Sequence, residues 1–586
     1  MQVAAIALFA LLAQAPATAR QPQSGATVEG IVVQAGSGQP VPGARVSLLP
    51  EFPFRRSGGL PPGAQGDPAL DDISPHSATT AQDGRFRFEN VKPLGYRLIA
   101  TMSGGYVPGE FGQRSATGLG VSFELAAGQA LRNVRLILTP TGSISGRVYD
   151  RDGPVGKLQV LALRPVYREG RRALTIVQAV QTDDRGEYRL FWLAPGPYLV
   201  MVRPVSLLSD MFTSPVRISE PSRVGGFEQT SNPVLTTRTL PSGEVVQETQ
   251  LPVYYPGVTS LNEAARIELR AGGSADGMDI PMTTGPVRTR RVRGVVVLNG
   301  QPAANAGVIA LPRSGDPAPA VAAAAARTNP DGSFDVAGVL PGSYLITANT
   351  NAGQSNAIAV EVGDADVDQI VIPLAAGFQM TGRFVMEGRS RNTEIANLRA
   401  NLVRDPDPVG MPNGGPSYTP PPSPDGSFVL QGVPPGDYRV TVRALPVDAY
   451  VKSMRMGAFD VLDRGLHLTG APREPLEIVI GDAGTLSGTV QTTMQEPVLN
   501  STVVVIPDAP DRHRADLYKR AVTDSAGRFR IQGLAAGSYR VFAWEDIEEG
   551  SWQDPDVIRL YENRGASIRI REGGDDSIQL TVITGQ

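Results

Sequence analysis

The chain has 586 residues, 41% of them hydrophobic, a formal net charge of −4 and no cysteine. Disulfide stabilisation, a cysteine-ligated metal and a lipid-modified N-terminal cysteine are therefore excluded. The slight acidity, with no run of five or six like charges, excludes the basic stripe of a nucleic-acid binder. The 65 glycines and 50 prolines predict many turns and few helices.

Residues 3–13 (VAAIALFALLA) form an apolar run too short to span a bilayer, followed by Pro16 and the small-residue stretch Ala17-Thr18-Ala19. The segment reads as an export signal over 1–19, with cleavage near Ala19, although Met1-Gln2 supplies no Lys or Arg. With no other long apolar run, the expected location is periplasmic or secreted, without a membrane span.

From residue 26 the pattern becomes one of short strands. Thr27-Val28-Glu29-Gly30-Ile31-Val32-Val33 and Ala44-Arg45-Val46-Ser47-Leu48 flank a Pro-Gly turn, and a Pro/Gly-rich loop then leads to Asp83-Gly84. Asp-Gly is a two-residue hairpin signal, because both residues tolerate positive φ. Arg85-Phe86-Arg87-Phe88 alternates at period two, which turns the rings inward. Three more strands follow, at 96–100, 121–125 and 134–138. About seven strands in just over a hundred residues predict a Greek-key β-sandwich.

The same paragraph of residues recurs five times. Asp83-Gly84-Arg85-Phe86 returns as Arg185-Gly186-Glu187-Tyr188, Asp331-Gly332-Ser333-Phe334, Asp425-Gly426-Ser427-Phe428 and Ala526-Gly527-Arg528-Phe529. Each copy is followed by a Pro-Gly-x-Tyr-like turn that ends on Tyr96, Tyr198, Tyr344, Tyr438 or Tyr539. A pitch of roughly 100 residues suits a whole small domain rather than a solenoid unit. The chain is thus expected to be all-β: five tandem β-sandwich modules at 26–139, 140–285, 286–374, 375–481 and 482–586. Short Pro/Gly junctions predict a semi-rigid rod. The excursions at 206–250, 316–326 and 405–424 are expected as surface loops.

A Gly-bearing first strand, Pro-x-x-Gly-Ala-x-Val (Pro40 to Val46), Asp-x-Gly-x-Phe and Pro-Gly-x-Tyr together resemble the carboxypeptidase regulatory-like domain. The resemblance covers nearly all of the chain after the export signal. It implies a prealbumin (transthyretin-like) sandwich, also grouped with starch-binding-like folds, without catalytic residues of its own. Carbohydrate binding is implied only at the level of fold.

Chemistry is sparse. The three histidines, His76, His467 and His513, fall in different modules, and no His-Glu-x-x-His, Gly-x-Ser-x-Gly or phosphate loop occurs. Acidic clusters at Asp71-Asp72, Asp183-Asp184, Asp364/Asp366/Asp368 and Asp575-Asp576 offer oxygens to calcium. They lack EF-hand spacing and suit turns for backbone reasons, so no metal and no cofactor is expected. The recurring tyrosines are read as tyrosine corners with buried rings.

Binding candidates are aromatics outside strand alternation: Tyr106 with Phe111, Tyr254 and Tyr255, Tyr450, and Trp552-Gln553-Asp554, an indole beside an amide and a carboxylate. The competing reading is that each ring plugs the end of its own sandwich or a seam. Trp192 and Trp544 sit on strands and are read as core. The expected function is an exported, non-enzymatic binding protein of the cell envelope, with a polysaccharide or an envelope protein as partner. A structural spacer or adhesion stalk, and an accessory subunit of a hydrolase or transporter, are the alternatives.

Overall fold

The computed structural model describes residues 25–50, 75–118, 120–168, 170–204, 235–282, 285–313, 324–350, 353–355, 357–388, 395–404, 421–509, 511–524 and 526–584. The export signal at 1–19, Asp71-Asp72 and parts of the three long excursions lie outside these residues. The described ends of two excursions are strands: Thr236–Thr239 pairs with Val245–Thr249, and Ala324–Arg327 pairs with Gly307–Pro312.

Strands dominate, and the repeats fold as sandwiches of two layers, which in repeat 3 are joined at one edge through Gly353–Gln354 and in repeat 2 are accompanied by a further three-stranded sheet. In the first repeat one sheet runs Arg85–Val91, Ala26–Gln34, Ala130–Pro140, Tyr106–Val107. The other runs His76–Thr79, Arg45–Pro50, Gly95–Thr101, Gly109–Glu110, with Phe123–Glu124 also on Gly95–Thr101. The opening strand is antiparallel to the strand after the Asp-Gly turn and parallel to the closing strand. The other four repeats reproduce that diagram. Hydrophobic clusters lie within 26–138, 144–282, 292–374, 380–480 and 486–582.

The repeated motif has a physical cause at each position. In the opening strand a Cβ on Gly30, Gly146, Gly294 or Gly488 would come within 1.9–2.2 Å of a carbonyl oxygen in or beside the closing strand. Only glycine lets the two strands meet there. The turn aspartate accepts the backbone N–H two residues on: Asp83 from Arg85, Asp183 from Arg185, Asp331 from Ser333, Asp425 from Ser427 and Asp524 from Ala526. These are Asx turns. The tyrosine hydroxyl donates to the carbonyl four residues earlier, at 3.1 Å from Tyr96, 2.7 Å from Tyr198 and Tyr438 and 2.9 Å from Tyr539. Tyr344 bonds the backbone of Leu340 at the same offset.

Two expectations need correction. Asp83-Gly84 does not close a hairpin, because His76–Thr79 and Arg85–Val91 belong to opposite sheets. Gly84 alone has positive φ (74°), and its carbonyl accepts the Val32 N–H of the opening strand at 2.9 Å. The turn is an arch over the sandwich edge. A type I′ hairpin would need positive φ at both residues.

Nor is the array a rod. Thr141, between repeats 1 and 2, donates its N–H to Gly105 at 2.8 Å, and Ala483, between repeats 4 and 5, donates to Asp448 at 2.7 Å. Val245–Thr249 of repeat 2 pairs with Val287–Arg288, the segment entering repeat 3. Arg114 of repeat 1 meets Glu545 of repeat 5 at 2.9 Å, and the Asn500 amide donates to the Gly112 carbonyl. Fixed junction angles bring the two ends of the array together.

Repeats 2 and 5 carry a second apolar layer. The strands Thr502–Pro507 and Gly537–Trp544 are buried on both faces along most of their length. Their outer side chains Val504, Ile506, Phe542 and Trp544 pack with Trp552 and Ile558. In repeat 2, Leu161, Leu163, Leu174, Leu199 and Met201 pack with Tyr254 in the same way.

Candidate functional site: a basic seam between repeats

The hairpin Leu158–Arg168 with Arg171–Gln181 projects from repeat 2 and is long enough to reach repeat 5. Its tip lies against the segment that covers the outer face of repeat 5. Gly170 abuts the Gln553 carbonyl, and Tyr167 lies beside Gly550. Arg172 extends over the Tyr167 ring at 5.6 Å and donates to its hydroxyl at 2.9 Å. That hydrogen bond, reinforced by the nearby Glu548 and Asp554 carboxylates, raises the Arg172 pKa.

A cavity of about 270 Å³ opens where this tip meets repeats 4 and 5. Arg171 from repeat 2, Arg439 from repeat 4, and Arg512, His513, Tyr518 and Gln553 from repeat 5 line it. Arg439 faces it because it follows the corner tyrosine on Gly436–Arg443, where the alternation sends Tyr438 inward and its neighbour outward.

The walls are held firmly. Glu562 grips the Arg512 guanidinium through two bonds of 2.7 and 3.2 Å. The hydrogen bond with Arg512 lowers the Glu562 pKa, and the same pair raises that of Arg512. The Tyr518 hydroxyl donates to the Arg512 carbonyl at 3.0 Å, and burial raises its pKa. Arg171, Arg439, Arg512 and His513 bring three guanidiniums and an imidazole to one open cavity, a donor set that suits an anionic ligand. Among the described residues, no group of three His, Cys, Asp or Glu side chains is placed to hold a metal ion.

Of the residues singled out by sequence, Gln553 lies in this cavity. Trp552 does not present a face to solvent: it is 5% exposed, stacked in the outer layer of repeat 5 with the Arg520 guanidinium 6.0 Å above its ring. Asp554 is the N-cap of the helix Pro555–Arg559, accepting the Asp556 N–H at 2.9 Å. Tyr254 is buried in the second layer of repeat 2, and Tyr255 packs partly buried on its main core. Tyr106 donates to the Gln34 side chain at 2.9 Å, while Phe111 meets Phe123 edge to face at 5.3 Å. Tyr450 packs across the seam onto the core of repeat 5.

Trp544 is core, as expected, but Trp192 is 57% exposed. The arginines of the cavity escaped the sequence because three repeats, far apart in the chain, supply them. The acidic clusters have other work: Asp366 and Asp368 each bind Arg293 at 3.0 Å, and Asp576 pairs with Arg571 at 3.2 Å. The exposed His467 side chain meets that of Asp437 on the adjacent strand at 2.5 Å, and His76 lies edge-on to Phe88.

Residues 27–133 match the sequence profile of the Carboxypeptidase regulatory-like domain. The first repeat is a carboxypeptidase regulatory-like domain. The hydrogen-bond diagram of that domain is the one the other four repeats share. No curated protein matches the sequence. Among solved structures the chain is similar to the minor pilin GBS52 of Streptococcus agalactiae, at 11% identity over 45% of this chain and 98% of that one, with a TM-score of 0.21. The major pilin subunit BcpA of Bacillus cereus gives 9% identity, 60% and 99% coverage and a TM-score of 0.15. The TIE protein of Bacillus anthracis gives 10% identity, 93% and 68% coverage and a TM-score of 0.12. No helix among the described residues is long and apolar enough to cross a membrane.

Proposed function

We propose that this chain is an exported, non-catalytic binding protein of the cell envelope, built from five regulatory-like modules at 26–139, 140–285, 286–374, 375–481 and 482–586. Its ligand is a polysaccharide bearing carboxylate groups, held in the seam where repeats 2, 4 and 5 meet. The observation that supports this reading is the cavity lined by Arg171, Arg439, Arg512 and His513. Guanidiniums match carboxylates in shape and charge, and the Gln553 amide beside them suits sugar hydroxyls. In the wall, Arg512 is already paired with Glu562, which leaves the guanidiniums of Arg171 and Arg439 as the groups whose replacement tests the ligand.

Titration calorimetry with polygalacturonate, and with neutral dextran as control, tests the proposal. Polygalacturonate is expected to bind at low ionic strength and to weaken as salt rises. Arg171→Ala and Arg439→Ala should each weaken it about tenfold, since a hydrogen bond to a charged group contributes about 1.5–3 kcal/mol. Equal affinity for the two polymers, or an unchanged affinity in both variants, would remove the seam as the site.

A further inference from the structure

The five repeats offer an internal comparison at one position. Just before the last buried residue of the strand after the Asp-Gly turn, every repeat places a residue with positive φ. These are Asn90 (56°), Trp192 (55°), Gly338 (81°), Gly432 (67°) and Gly533 (74°). The opposing first strand shifts register there in each repeat, which marks a β-bulge. Four repeats use Gly or Asn, the residues for which a left-handed conformation is easy. Repeat 2 uses tryptophan, a bulky residue for which that conformation is an outlier.

That tryptophan gains little burial in return. Trp192 is 57% exposed and the preceding Phe191 is 40% exposed. Their ring centroids are 4.9 Å apart at 84°, an edge-to-face pair. A Cβ built on Gly104 of repeat 1 would lie 4.0 Å from the Trp192 ring, so the indole stands beside the neighbouring repeat. Beside the pair, the Gln178 side-chain oxygen accepts the Phe191 N–H at 2.8 Å, which fixes a primary amide at the rim. Gln178 belongs to Arg171–Gln181, an edge strand of eleven residues where repeats 1, 3 and 5 have four among the described residues. Strain retained without compensating burial, in a residue whose equivalents are Gly or Asn, points to a ligand.

We infer that Phe191 and Trp192 form a second binding surface, on which a pyranose ring of the polysaccharide stacks its C–H face while the Gln178 amide meets a hydroxyl. Two rings are too small a patch for a protein partner, which needs about 800 Å² per side. Fixed aromatic rings beside a fixed amide match a sugar, which is apolar on its ring faces and polar around its edge. The inference rests on the polysaccharide reading above but uses different residues, so the two fail separately.

The chain has three tryptophans, and the other two are 1% and 5% exposed. Iodide quenching of tryptophan fluorescence therefore reports Trp192. Polygalacturonate and dextran are the probes. Binding should protect the fluorescence from iodide, and Trp192→Gly and Phe191→Ala should each weaken binding at least fivefold. Trp192→Gly restores the residue found in three other repeats, so its thermal midpoint should equal or exceed that of the parent chain. Binding within twofold of the parent in both variants overturns this surface but leaves the seam intact. A lowered midpoint with unchanged binding would make Trp192 a strut between repeats 1 and 2. Concentration-dependent self-association that Trp192→Gly abolishes would make the surface a contact between two copies. Failure of the parent chain to bind either polymer removes both sites.

Discussion

Repeats 2 and 5 each bury a second apolar layer on the outer face of a sheet, and each has a tryptophan near that region in sequence. In repeat 5 the tryptophan belongs to the layer: Trp552 packs with Trp544, Phe542 and Ile558. In repeat 2 the layer is completed by Tyr254, and Trp192 stands outside both cores. The two tryptophans thus play opposite parts from different places: Trp552 lies in the segment beyond the outer-sheet strand Gly537–Trp544, and Trp192 lies on a strand of the other sheet, where repeat 5 has Gly533. Trp552 is itself part of the segment that folds back over its sheet. After Trp544 the chain makes two short helical turns, Ser551–Gln553 and Pro555–Arg559, that cap the exposed face. Trp192 is followed at once by the turn into Gly196–Pro204 and receives no cover.

The largest expected effect follows from this contrast. Trp552→Ala should open a cavity in the outer layer and destabilise repeat 5 by about 3–5 kcal/mol. Trp192→Ala should cost repeat 2 less than about 1 kcal/mol, because an exposed ring loses little transfer energy and left-handed strain is partly relieved. Hydrogen exchange resolved by repeat would separate the two, since each sandwich can open as its own unit. Equal losses in both repeats would mean that the Trp192 ring carries packing energy its exposure does not show.

Next in size is the arch glycine. Gly527 has φ of 72°, and a Cβ there would lie 2.6 Å from the Val490 carbonyl oxygen; Gly186 has φ of 71° and the corresponding distance, to Val148, is 2.3 Å. Gly527→Ala and Gly186→Ala should each destabilise their repeat by about 2 kcal/mol or more, combining left-handed strain with a backbone clash. Tyr539→Phe and Tyr198→Phe remove only the corner hydrogen bond and should each cost about 1 kcal/mol. A Phe variant that costs as much as the alanine arch variants would show that the hydroxyl orders the whole turn.

Much of this was legible in the residues, and the exceptions have physical reasons. The tyrosine corners are readable because Pro-Gly-x-Tyr fixes both the turn and the parity of the ring. The outer layers are readable in hindsight from Val503-Val504-Val505-Ile506 and Leu199-Val200-Met201-Val202, which run apolar without alternating. Trp192 misled because period-two alternation from Tyr188 and Leu190 sends residue 192 inward. The bulge opposes two residues to one, so Leu193 is buried instead. Aligning the five copies on their Gly and Asn residues would have marked that bulge. Asp554-Pro555 is a helix-start signal, N-cap followed by proline, within a segment taken for loop. The seam had no signal at all, since its arginines come from three repeats and depend on junction angles that local sequence does not encode.

Those angles can be measured. Five bodies of roughly 13 Å radius of gyration in line would give about 50 Å for the whole chain, whereas a compact arrangement of this length approaches about 25 Å. Contact between repeats 1 and 5 through Arg114 and Glu545 predicts a value nearer the lower figure. Arg114→Glu should raise it by setting like charges against each other. A parent chain already near 50 Å would separate repeats 2 and 5 and dissolve the seam.

The smallest effect is electrostatic and belongs to the turns. Ser333 and Ser427 hydrogen bonds hold the carboxyls of Asp331 and Asp425 below their usual range. Asp524 is also held low: burial opposes this, but the Arg528 backbone and guanidinium outweigh it. A carboxylate whose pKa is depressed by folding stabilises the fold above its unfolded pKa of about 4, and that contribution is lost as pH falls through the folded value. Stability should therefore be flat above about pH 5 with respect to these groups and decline as acid protonates them. Replacing all three by Asn keeps an oxygen to accept the turn N–H but removes the charge. The triple variant should match the parent chain at neutral pH only to the extent that geometry, rather than charge, holds the arch, and its decline in acid should be shallower. An acid profile unchanged by the triple substitution would assign acid sensitivity to the paired carboxylates of the seams, with Glu562 first among them because Arg512 also holds it low.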